Sequence, residues 1–127
     1  GHRVVVYDAL PDRNALQKVW TPDELEGLTL VHGDVTDLAS LARSVKENQV
    51  DRLVHLAYWQ IPASKHNPTA AIRVNGIGFN NTLEVASIFG LRRLVWASSN
   101  AVFGSPKSHQ AGYIPNDELH RPNTVYG

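Results

Sequence analysis

Four short, almost unbroken apolar runs constrain this chain more than any other feature, because each is rich in β-branched residues and each ends abruptly in polar or aromatic side chains. They are RVVVYD (3–8), LTLVH (28–32), RLVHLA (52–57) and RLVWAS (93–98). A strand with one wet face alternates apolar and polar residues, whereas one covered on both faces reads as a continuous apolar run. Between the second and third runs, Leu38, Leu41, Ala42 and Val45 recur at i, i+3, i+4 and i+7, an amphipathic helix with Asp37 as its cap. Between the third and fourth, a longer helical segment starts at Pro68 and stops at Gly90, with Ile72, Leu83, Ala86 and Ile88 as apolar positions. Gly76 and Gly78 each weaken a helix by about 1 kcal/mol, which predicts that another segment approaches the backbone there. Residues 9–27 read as irregular with two helical turns, and 104–124, with three prolines and no period, as a long loop.

Strands separated by helices predict parallel pairing through crossover helices, hence an α/β fold built on a doubly wound parallel sheet. Ligands of such sheets bind beyond the carboxyl ends of the strands. The residues that follow each run are therefore the candidate site: Asp8, then Gly33 and Asp34, then Tyr58, Trp59 and Gln60, then Ser98, Ser99 and Asn100.

Charge and composition remove several function classes. Twelve basic against twelve acidic residues provide no field for a nucleic-acid backbone. No stretch nears the roughly 20 apolar residues of a membrane span, and no charged-then-apolar leader opens the chain. The absence of cysteine excludes disulfide and thiolate-metal frameworks and fits the cytoplasm. The six histidines lack the spacing of a metal-binding motif.

Taken in order, the motifs resemble those of the extended short-chain dehydrogenase/reductases, the NAD-dependent epimerase/dehydratase family, along nearly the whole chain. The resemblance implies a Rossmann-like fold and assigns roles residue by residue. In VVVYDAL, Asp8 falls on the acidic residue that takes the adenosine ribose hydroxyls; its charge repels a 2′-phosphate and so implies NAD rather than NADP, with Arg13 nearby working against that preference. In HGDVTD, Asp34 and Val35 fall on the adenine contacts, and Asp37 is left to cap the helix. VHLAYWQIP resembles the stretch that runs along the pyrophosphate and nicotinamide ribose, with Leu56 and Ala57 matching. Tyr58 stands there in place of a small residue; it or Trp59 either stacks on a ligand or belongs to the core. VNGIGFNNTLEVA is similar to the family's following helix, which implies Asn75 on the nicotinamide side and Gly78 as a close-packing glycine. ASSNAVFG and RPNTVYG resemble the two catalytic stretches: Ser99 falls on the catalytic serine and Tyr126 on the catalytic tyrosine, 27 positions later, with Ser98 beside the cofactor.

Such a pair suits hydride chemistry at a hydroxyl-bearing carbon. A base must take the hydroxyl proton as hydride leaves, and a tyrosine, ordinarily titrating near pH 10, does so near neutrality only when positive charge stabilises its phenolate. The family uses a lysine one helical turn after the tyrosine, and a glycine-rich turn for the pyrophosphate. Neither has a counterpart among these 127 residues, so the resemblance implies an NAD-binding domain incomplete at both ends. A glycine-rich strand-turn-helix before it and a substrate domain after it would be missing, and the chain alone is expected to be inactive. Dehydratases of the family carry Thr-Asp-Glu where this chain has Ser99, Asn100 and Ala101, so loss of water is not expected. The remaining activities are a sugar-nucleotide epimerase and a simple NAD-dependent sugar or uronate dehydrogenase, either one a homodimer when complete. A non-catalytic nucleotide-binding module is the other reading.

Overall fold

In the computed structural model, which describes residues 1–109 and 113–127, strands and helices alternate as the apolar runs require. Strand β1 (Val4–Asp8) pairs in parallel with β2 (Leu28–His32), Val4 opposite Leu28 and Asp8 opposite His32. Strand β3 (Arg52–His55) pairs in parallel with β4 (Arg93–Trp96), Arg52 opposite Arg93 and His55 opposite Trp96. The linker between β1 and β2 holds two short helices, α1 (Arg13–Leu16) and α2 (Pro22–Glu26). A capping box opens α2: Thr21 Oγ1 accepts from the Glu24 N–H, while the Glu24 carboxylate accepts from Thr21 and is thereby held below its ordinary pKa.

Helix α3 (Leu38–Glu47) begins where expected, with the Asp37 carboxylate accepting the Ser40 N–H at 2.9 Å. After β3 come α4 (Ile61–His66) and α5 (Pro68–Ile72), a π-helical turn over Arg73–Gly78, and α6 (Phe79–Ile88). Leu41 and Val45 of α3 and Val85 of α6 form the core cluster, packed against Tyr7, Val50, Leu53 and Leu91. Thus α3 and α6 lie together on one face of the strands. The segment after β4 holds two single turns of 3₁₀ helix, Asn100–Phe103 and Pro106–Ser108, and is otherwise irregular among the described residues. None of the described helices is long and apolar enough to cross a membrane.

Among the described residues the parallel pairing forms two two-stranded pairs, β1–β2 and β3–β4, as an incomplete doubly wound sheet would. Two expectations are corrected. The buried face of the long helical segment is carried by Ala71, Gly78, Asn81, Thr82 and Val85, whereas Ile72, Leu83 and Ile88 point outward at 59%, 41% and 65% exposure. The close approach at the glycines occurs at Gly78 alone, where an added Cβ would lie 2.5 Å from Val35 Cγ2; at Gly76 nothing lies within 4 Å. The reason is helical phase. Gly78, Asn81, Thr82 and Val85 sit at i, i+3, i+4 and i+7 of the turn that rests on the strands, and two of these four are polar.

Candidate active site

The carboxyl ends of the strands gather the candidate residues into two neighbouring groups. The first closes over β1 and β2. The Gly33 N–H donates to the Asp8 carbonyl at 2.9 Å, tying the two strand ends together. Asp8 Oδ1 accepts the Leu10 N–H at 2.7 Å, which folds the chain away from the strand and leaves the carboxylate exposed. Asp34 likewise caps its own turn, taking the Thr36 N–H at 2.8 Å. Tyr7 organises this group. Its hydroxyl donates to the Asp34 carbonyl at 3.0 Å and lies 3.1 Å from Ser40 Oγ, and burial pushes its pKa up against the lowering effect of the Ser40 bond. A Cβ at Gly33 would collide with the Tyr7 ring, so only glycine lets that ring pass beneath the turn. Val35 lies over Gly78, and its carbonyl accepts from Asn81 Nδ2 at 2.9 Å, joining the turn to α6.

The second group closes over β3 and β4. Leu56 is exposed, and Ala57 and Tyr58 are half-buried. Tyr58 sits edge-on to the His55 ring at 4.9 Å; burial and the nearby charge of Tyr126 both push the Tyr58 phenol above its usual pKa. Tyr58 makes a packing contact with His55, and Trp59 stays on the surface. Asn75 directs both amide atoms at the Trp59 backbone: Oδ1 accepts the N–H at 2.8 Å and Nδ2 donates to the carbonyl at 3.0 Å. Its observed work is to hold the turn after β3.

Ser98 is exposed, and Ser99 is half-buried with its Oγ accepting the Ala101 N–H at 3.2 Å. That bond uses one lone pair; a hydroxyl retains a proton and a second lone pair for another partner. The last residues return along the turn that follows Ser99. The Arg121 N–H donates to the Val102 carbonyl at 2.9 Å, Gly104 adopts φ +78° directly against the Arg121 carbonyl, and Gly127 lies against the Ala101 carbonyl. Half-buried Tyr126 is thereby brought to the strand edge that carries Ser99 and Tyr58.

Four contributors went unread in the sequence: Tyr7, His55, Asn81 and Thr82. Thr82 Oγ1 donates to the Gly78 carbonyl at 3.0 Å and lies 3.0 Å from His55 Nδ1 in a buried contact. The available signal was two polar residues, Asn81 and Thr82, at the inward phase of an otherwise apolar helix.

Comparison with known proteins identifies the family and the fold. All of residues 1–127 match the model of the NAD dependent epimerase/dehydratase family, and the chain belongs to that family. It is 33% identical over 113 residues to UDP-glucose 4-epimerase 4 of Oryza sativa subsp. japonica, covering 85% of this chain and 31% of the relative. Among solved structures, it superposes on the Bordetella bronchiseptica enzyme WbmG in complex with NAD with a TM-score of 0.80 at 28% identity, covering all of this chain and 38% of that one. The L-threonine dehydrogenase of Clostridium difficile gives a TM-score of 0.77 at 30% identity, covering 97% and 35%. Such neighbours, together with the parallel strands and their helices, identify the fold as Rossmann-type. The chain spans about a quarter to a third of the length of the curated relatives it matches.

Proposed function

We propose that this chain forms the larger part of the NAD site and most of the catalytic edge of an enzyme that moves hydride at a hydroxyl-bearing carbon of a sugar nucleotide or related sugar. The observation that carries the reading is the return of residues 121–127 along the turn after Ser99, which brings Tyr126 to the carboxyl edge of β4. The residues present fit NAD. An exposed carboxylate at Asp8 matches a pair of ribose hydroxyls, which donate; Asp34 and Val35 would border the adenine, with Leu56, Ala57 and Ser98 along the remainder. When bound, the nicotinamide supplies the hydride acceptor.

The chain's own residues supply the proton handling. Tyr126 takes the substrate hydroxyl proton, and Ser99, with a proton and a lone pair to offer, orients that hydroxyl. Tyr58 adds a bulky wall in place of a small residue. Asn75 serves indirectly by pinning Trp59 and so fixing the turn on which Tyr58 stands. A cation near Tyr126 and a pyrophosphate-binding turn come from residues outside 1–127, so the isolated chain is expected to bind NAD weakly and not to turn over. The exposed apolar side chains Ile77 and Ile88, eleven residues apart and so on one side of the helical segment, support a homodimer of the complete protein through this helix, testable by light scattering of an Ile88→Lys variant.

Purified full-length protein assayed with NAD against UDP-sugars, uronic acids and L-threonine tests the reading. Interconversion of epimers without net NADH supports an epimerase, and stoichiometric NADH formation supports a dehydrogenase. The dehydrogenase reading is kept because a neighbour at 30% identity is a threonine dehydrogenase. NAD binding without turnover on any member of the panel would leave only a nucleotide-binding module.

A further inference from the structure

Asn75 alone among the asparagines of this chain precedes a glycine. An asparagine side-chain carbon lies one ring closure from the nitrogen of the next residue, and glycine, with no side chain, obstructs that closure least. The pair sits in the π-helical turn Arg73–Gly78 between α5 and α6, Asn75 half-buried and Gly76 exposed. No atom beyond its own turn lies within 4 Å of where a Cβ on Gly76 would stand, so the main chain there is open to water.

Two features hold the closure back. Helical torsions turn the Gly76 nitrogen away from the Asn75 side-chain carbon, and the side chain itself is aimed elsewhere. Its Oδ1 accepts the Trp59 N–H at 2.8 Å, and its Nδ2 donates to the Trp59 carbonyl at 3.0 Å. Ring closure breaks both bonds, because Nδ2 is the leaving group and Oδ1 rotates with it. The docked turn and the reaction therefore compete for one amide.

We propose that Asn75 is a deamidation site gated by undocking of the Trp59 turn, and that its conversion leaves that turn unpinned. In the undocked state a solvent base takes the Gly76 N–H proton, and the nitrogen forms a bond to Asn75 Cγ. The Cγ–Nδ2 bond breaks, ammonia leaves with a proton returned from solvent, and a five-membered succinimide remains. Water then opens the ring. Cleavage of the new N–Cγ bond restores the main chain and gives aspartate, whereas cleavage at the main-chain carbonyl of residue 75 gives isoaspartate. One water is consumed for each ammonia released, and nothing is oxidised or reduced.

Either product undoes the pin. In aspartate an anionic oxygen replaces the Nδ2 donor facing the Trp59 carbonyl, so a hydrogen bond becomes a repulsion. In isoaspartate the main chain is one atom longer, within the turn that must keep Gly78 against Val35. The inference does not depend on the hydride-transfer reading, and its test involves no turnover.

The test incubates the full-length protein in mildly alkaline buffer, folded and in urea, and follows conversion at Asn75 by peptide mapping and mass spectrometry. The expected result is rapid conversion in urea and conversion about tenfold to a hundredfold slower in the folded protein. Amide exchange of the Trp59 N–H should be slowed by the same factor to within about threefold, because one opening exposes both groups. Gly76→Ala should lose most of the conversion in urea, which ties the chemistry to the glycine. In protein converted at Asn75, and in Asn75→Asp, the Trp59 N–H should exchange about tenfold or more faster while β3 keeps its protection. The proposal is overturned by equal rates folded and in urea, or by no conversion at Asn75 in urea. Slowing far beyond the protection of Trp59 would make global unfolding the gate and overturn it too. So would Trp59 exchange that conversion leaves unchanged, or a loss of protection that extends through β3.

Discussion

At Gly104, with φ +78° and the Arg121 carbonyl against its α-carbon, a side chain meets both a disfavoured backbone conformation and a backbone atom that cannot step aside. Gly104→Ala is expected to lower stability by about 1–3 kcal/mol in urea unfolding and to displace the return of residues 121–127 that carries Tyr126. Gly76→Ala should do the reverse, raising stability by about 0.5–1 kcal/mol, because its φ is not positive and no atom lies within 4 Å of the new methyl. His55 makes the pH dependence legible at one residue. Burial lowers its pKa below the ordinary 6.5, so as pH falls through that value the unfolded chain takes up a proton that the folded chain resists. Stability is therefore lost as pH drops below about 6.5 and regained above it. The urea midpoint compared at about pH 7.5 and 5.5 should fall more in the parent chain than in His55→Gln, and equal falls would contradict the assignment.

At the level of elements, the Asp37 bond to the Ser40 N–H holds the first turn of α3, and Asp37→Ala is expected to cost about 1 kcal/mol by the same unfolding measurement. This helix was legible in its cap and period, which are local, although Leu38 of the expected apolar face stays 39% exposed. The four strands were legible as well, since buried parallel strands carry their own pattern, though β3 and β4 each stop about two residues short of the apolar run. Helix α4 was not, because its N-cap Gln60 makes no side-chain capping bond and its six residues are too few to carry a period; Ser64 Oγ donates back to the Ile61 carbonyl. The inward phase of α6 was misread because apolarity was taken to mark the buried face. Here the buried positions are Asn81 and Thr82, made necessary by partners distant in sequence, Val35 and His55. The same limit applies to Tyr7, whose role depends on Gly33 and Asp34 coming beneath it from another strand. What was legible of Asp8, Asp34 and Ser99 is their position, because each ends or follows a strand at the carboxyl edge.

For the whole molecule, the two strand pairs and the two site groups divide along the same line. The proposed adenosine side stands on β1 and β2, the proposed catalytic side on β3 and β4, and α6 joins the two through Asn81 to Val35 and Thr82 to His55. A polar helix face thus fixes the spacing between binding and chemistry. Asn81→Leu, which fills the space but removes the bond to the Val35 carbonyl, is expected to weaken NAD binding several-fold with a smaller effect on turnover of the complete protein, measurable as separate changes in Kd and kcat. The central claim is that Tyr126 moves the proton while the remaining residues hold and orient. Its most direct measurement is the single-turnover rate of hydride transfer in full-length Tyr126→Phe beside the unsubstituted protein, with the NAD dissociation constant determined on the same samples. The account predicts a rate lower by about 10²–10⁴-fold with NAD affinity essentially unchanged. An undiminished rate, or a loss explained entirely by weaker NAD binding, would contradict it.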